Sequence, residues 1–89
     1  MTDSVFLERF TDDIVVEAYR ARAMYPQNSL LLTAFTEEAG EVVKAVLDHL
    51  AGKGSLSDVR KELIQTAAMI VRLLEEGDPA HGLPPTGDL

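Results

Sequence analysis

The stretch Leu63-Ile64-Gln65-Thr66-Ala67-Ala68-Met69-Ile70-Val71-Arg72-Leu73-Leu74 carries a single charge. Its apolar residues recur at helical spacing, but on more than one side. Leu63, Ile70 and Leu74 share a face, while Ile64 and Val71 lie well round from it. A helix apolar over most of its circumference needs neighbours in several directions. The chain has only 89 residues, one small domain that buries roughly 60% of its unfolded surface. Three helices of one chain do not easily cover such a helix, so the pattern predicts a dimer or larger assembly with this helix in the interface. The competing reading is that Ile64 and Val71 pack under the first helix of the same chain. There are no cysteines, so no disulfide or thiolate metal site staples the domain. Oligomerisation is the remaining common route to stability at this size.

Taken in order, the chain reads as three helices and a tail. Phe6, Phe10, Ile14, Ala18, Ala21 and Tyr25 fall at spacings of three and four, which predicts a helix over Ser4 to Tyr25. Thr11-Asp12-Asp13 offers an alternative start, with a frayed arm before it. Pro26 ends the helix, because the residue before proline is pushed out of the α region. Asn28 or Ser29 is the expected cap of a second helix, which runs to Ala51 and stops at Gly52-Lys53-Gly54. Ser55 with Asp58, or Ser57 alone, caps a third helix that runs to about Glu76, with Gly77 and Pro79 as the stop. Asp78 to Leu89 holds Pro79, Gly82, Pro84, Pro85 and Gly87, and has no periodicity. It reads as an irregular or disordered tail. The expected organisation is a helical domain over 1–77 followed by a tail over 78–89. The fold class is all-α: three main helices, in a bundle completed by oligomerisation.

Composition excludes some functions. At 46% hydrophobic the chain is globular. A net charge of −7 argues against binding nucleic acid through a basic face. No apolar run approaches transmembrane length, and acids stand where a signal peptide needs a basic region. A cytoplasmic protein with no membrane partner is the expectation.

Acids occupy positions where the second helix should be apolar. At about 100° per residue, Leu31, Phe35, Val42, Ala45 and His49 fall on the same side as Glu38. Glu38 is at the centre of this face, Glu41 is at its edge, and Glu37 lies just beyond. An unpaired carboxylate there is heavily penalised, and a metal ion is one partner that relieves it. Glu62 and Gln65 repeat the same spacing on the third helix, with Asp58 one turn earlier. Two antiparallel helices joined by a short loop bring the pairs opposite one another. Carboxylate oxygens converging from two helices suit a hard divalent cation such as Mg²⁺. His49 shares the apolar face and reads as a packed histidine, and His81 as an inert tail residue. A di-iron bundle is rejected, because no Glu-x-x-His pair is present.

The run Glu37-Glu38-Ala39-Gly40-Glu41, followed after a spacer by Glu62-Leu63-Ile64-Gln65, resembles the MazG-like, all-α nucleoside triphosphate pyrophosphohydrolase superfamily. The resemblance covers the second and third helices. It departs at Gln65, where the family usually has a metal-binding aspartate. It implies cleavage of a nucleoside triphosphate between its α and β phosphates, giving a monophosphate and pyrophosphate, by a homodimer or homotetramer. It implies Mg²⁺ held by Glu38, Glu41 and Glu62, with Gln65 at the fourth ligand position. Glu38 and Glu41 are the catalytic candidates, Glu41 as acceptor of the attacking water's proton. Glu37 and Asp58 become supporting acids or ligands of another metal. Lys44, Lys53, Arg60 and Lys61 flank the acids and are candidates to meet the phosphates, as are Arg20 and Arg22 across an interface. The alternative reading is a catalytically weak or silent relative, a nucleotide-binding or protein-interaction module, since Gln65 brings no charge.

Overall fold

The computed structural model describes residues 4–26 and 30–89, and over them the protein is all-helical. Helix α1 spans Ser4–Met24, α2 Leu31–Leu50 and α3 Leu56–Glu76, with a single 3₁₀ turn at Pro79–His81. α1 runs unbroken through Thr11-Asp12-Asp13, so the alternative start there is not used. Helix α3 is the middle layer. α1 and α2 each pack on it and, among the described residues, not on one another. The result is a slab of 41 × 29 × 22 Å with an open groove between the outer helices.

This arrangement divides the circumference of α3 between two neighbours. Ile64, Ala68 and Met69 are buried, and Val71 is half-buried. The described core also holds Ala18 and Ala21 of α1 and Leu31 of α2. Alanine at Ala18, Ala21 and Ala68 keeps side chains short where helices approach. Covering Ile64 within the chain is the competing arrangement considered from the sequence. The face of Leu63, Ile70 and Leu74 nevertheless stays 43%, 51% and 47% exposed, although the tail meets Leu74 through the Thr86 N–H.

The one charge in the apolar run, Arg72, is 2% exposed. Its guanidinium is satisfied rather than stranded. Nε donates to Glu76 Oε2 at 2.8 Å, and Nη2 donates to the Tyr25 carbonyl at 2.9 Å. Arg22 of α1 reaches the same Glu76 at 3.2 Å and Glu75 at 2.6 Å. Arg72, with Arg22 in support, therefore holds the Glu76 carboxyl below its ordinary range, overcoming partial burial. This network fastens the end of α1 to the end of α3. Paired buried charges of this kind fix geometry more reliably than they add stability.

The helix ends show two different solutions. Ser55 and Asp58 form the expected reciprocal capping box at the start of α3: Ser55 Oγ accepts from the Asp58 N–H at 3.0 Å, and Asp58 Oδ2 accepts from the Ser55 N–H at 3.1 Å. The caps expected for α2, Asn28 and Ser29, lie outside the described residues. Within them the position before α2 is Leu30, which supplies no side-chain cap. Instead Asp78, from the other end of the molecule, accepts from the Leu32 N–H at 2.9 Å. Asp78 is 0% exposed, and His81 Nδ1 lies 3.0 Å from the same carboxylate oxygen. Burial pushes this carboxyl up, but the Leu32 N–H and His81 outweigh it and leave the group below its ordinary range.

The segment after α3 is irregular, as expected, but it is tied down. Gly77 turns the chain with φ +70°, a left-handed conformation that favours glycine. Asp78 and Leu83 exchange backbone hydrogen bonds at 2.8 and 3.0 Å, and the Thr86 N–H reaches the Leu74 carbonyl at 2.9 Å. His81, read from sequence as inert, is the partner of a buried carboxylate. The composition of the segment showed its turns. The partner that organises them is a single aspartate whose contact is 46 residues away.

Candidate active site

Glu38 lies where the helical period puts it, half-buried on the face of α2 turned toward α3. Its Oε2 is buried and has no hydrogen-bond partner. Burial raises its carboxyl above the ordinary glutamate range, and Glu62, Glu41, Glu17 and Glu37 raise it further by repulsion. The acids expected to face one another across the α2–α3 hairpin therefore do share one electrostatic neighbourhood. Four negative groups crowd a fifth, and only a proton or a cation relieves it.

The neighbourhood opens in two directions. A groove of about 750 Å³ between α1 and α2 is lined by Glu37, Glu38 and Gln65, over a floor that includes Met69 and Arg72. A smaller pocket of about 210 Å³ on the hairpin is lined by Glu41, Glu62 and Asp58 together with Lys44, Lys53 and Lys61. Glu38 and Gln65 thus look into one cavity, and Glu41 and Glu62 into another. Among the described residues, no three His, Asp or Glu side chains converge closely enough to cage a metal ion as they stand.

The remaining candidates sort by what already holds them. The Asp58 carboxylate is the partner of the Ser55 N–H and sits below its ordinary range for that reason. Lys44 pairs with Asp48 at 2.9 Å, and Arg60 with Asp13 at 2.8 Å. Lys53 and Lys61 line the small pocket and make no ion pair among the described residues, so they are the cations free to meet an anion there. His49 is half-buried, and its Nδ1 lies 3.1 Å from the Gly54 carbonyl. It braces the loop between α2 and α3, in keeping with the packed role expected of it.

Helix α1 contributes residues that the acidic motif did not suggest. Glu17 is among the charges that raise Glu38, and it lines the groove. It holds Arg20 through two hydrogen bonds, one of them from Nε at 2.9 Å. That bond to Glu17 is the main reason the guanidinium is held above its ordinary value. Arg20 also lines the groove, together with Glu37 and Glu38 of its own chain. The signal was available: Glu17 stands three residues after Ile14 and four before Ala21, at the edge of the apolar stripe of α1. The same helical-period test that singled out Glu38 picks it out.

Comparison of the chain with protein-family models, with curated proteins and with solved structures finds no match.

Proposed function

We propose that the protein is a Mg²⁺-dependent nucleoside triphosphate pyrophosphohydrolase, converting an NTP or dNTP to the monophosphate and pyrophosphate. The observation that carries this is Glu38: a carboxyl in an apolar face, with an orphaned buried oxygen, raised above its ordinary range by burial and by the surrounding acids. The resemblance of Glu37-Glu38-Ala39-Gly40-Glu41 and Glu62 to the MazG-like pattern supports the same reading.

The donor set suits a hard divalent cation. All the groups are oxygens, and Mg²⁺ keeps several waters while taking one or two carboxylates and substrate phosphates. Glu38, Glu41 and Glu62 would hold it after side-chain rotation. Bound there, Mg²⁺ would neutralise phosphate charge and acidify a water. Glu41 is exposed at the mouth of the small pocket, and it would take the water's proton. Glu37 and Asp58 would support the ligands. Lys53 and Lys61 would meet the outgoing phosphates, with Arg20 on the groove side.

Release of pyrophosphate from the common NTPs and dNTPs with Mg²⁺ tests the reading, and its absence for all of them removes it. Glu38→Ala is expected to lower an observed rate ~100-fold or more. Gln65, which brings no charge where the family usually has an aspartate, favours one second reading, a catalytically silent nucleotide-binding or interaction module. Gln65→Asp separates the two: activity that appears only in this variant identifies the natural protein as silent.

The same proposal includes a homo-oligomer, dimer or tetramer. Leu63, Ile70 and Leu74 of α3 and Val43, Leu47 and Leu50 of α2 are exposed apolar side chains, the last 75% exposed. Patches of this kind on so small a chain mark association surfaces. Sedimentation equilibrium is expected to show a multiple of 9.7 kDa, and Ile70→Glu to reduce it.

A further inference from the structure

From the division of the acids between two cavities, we infer that Gln65 reads the edge of the nucleobase rather than completing a metal site. This rests on the proposed nucleotide chemistry and specifies its substrate recognition. Three residues along a helix advance it about 300°, so Gln65 sits about 60° round α3 and one turn beyond Glu62. That rotation decides which cavity it faces. Gln65 lines the groove and a second cavity between α1 and α3, and not the small pocket of Glu41 and Glu62.

The groove has the properties of a base site. Its volume of about 750 Å³ lies in the range of ligand pockets, which are mostly apolar with a few placed polar groups. Met24 and Met69 flank it, and thioethers pack favourably against flat rings. Tyr25 and Pro26 stand at its end. Gln65 is half-buried there, and its amide makes no side-chain hydrogen bond among the described residues. A carboxamide offers one acceptor and a donor side by side, the arrangement that pairs bidentately with a base edge. A carboxylate at that position only accepts when ionised, and it adds to the repulsion around Glu38. The amide keeps both hydrogen-bonding senses and adds no charge.

The test is binding of AMP, GMP, CMP, UMP and dTMP to the full chain, followed by calorimetry or NMR titration. The wild type is expected to prefer one base. Gln65→Met, close in shape but without the amide, is expected to weaken that nucleotide about 10- to 100-fold and flatten the preference. The rise in melting temperature on adding Mg²⁺ alone is expected to stay unchanged. Gln65→Glu keeps the length and removes the donor, so it is expected to shift the preference toward bases with donor edges. Unchanged preference in both variants, equal binding of all bases by the wild type, or loss of the Mg²⁺ response in Gln65→Met overturns the inference alone. Failure of every nucleotide to bind the wild type overturns the proposed function, and this inference with it.

Discussion

The starts of α2 and α3 solve the same problem from opposite distances. Every helix begins with backbone N–H groups that have no partner within it. α3 meets the need locally, with Ser55 and Asp58 three residues apart on the surface. The described start of α2 borrows its acceptor from Asp78, buried and 46 residues away. A local cap stabilises one turn of one helix. A borrowed cap also joins two regions, so the tail, the head of α2 and the end of α3 become one structural unit.

The largest expected effect breaks the borrowed cap through its hinge. A Cβ on Gly77 would lie 2.3 Å from the Leu83 carbonyl oxygen, and φ there is +70°. Gly77→Ala is expected to cost about 2 kcal/mol or more in chemical unfolding and to expose the Leu32 and Thr86 amides to exchange. Asp78→Ala comes next. Its melting temperature is expected to fall further than that of Ser55→Ala, with protection lost at Leu32 and kept at Val59. Ser55→Ala is expected to cost about 1 kcal/mol and to leave amide exchange in the tail unchanged. Equal effects at the two caps, measured by denaturant unfolding, would erase the distinction.

Acid sharpens the comparison further. Asp78 titrates lower in the folded protein than in the unfolded chain, so its contribution is present above the ordinary aspartate range. It is lost as pH falls through the lowered folded value, and Asp78→Asn is expected to flatten this limb. Glu38 has the opposite sign. Its folded value is raised, so stability falls as pH rises from the ordinary glutamate range through that value. Glu38→Gln is expected to raise the melting temperature at neutral pH without divalent cations, by the smallest margin of the series, and, on the proposed Mg²⁺ chemistry, to show no further rise when Mg²⁺ is added.

The comparison also explains what was legible in the sequence. The capping box of α3 lies within four consecutive residues, so the sequence offered it, with Ser57 alone as the other candidate cap. The end of α3 at Glu76 was read where it falls, and that of α1 one residue late, at Tyr25 rather than Met24, because Gly77 and Pro26 act on their near neighbours. Asp78 looked like one more turn residue, since nothing nearby revealed that its partner was the head of α2. In the site, the apolar neighbours of Glu38 come from its own helix, so the period exposed it. Glu17 and the orientation of Gln65 depend on how α1 and α2 sit round α3. A single helix carries no record of that angle, and the motif spacing alone placed Gln65 beside Glu62.

Borrowing an acceptor across 46 residues also makes the two caps close at different stages of folding. Ser55 and Asp58 meet within one turn, so their box forms with the first turn of α3 itself. The bond between Leu32 and Asp78 closes a loop that holds nearly all of α2 and the whole of α3, so it forms only once those two helices lie side by side.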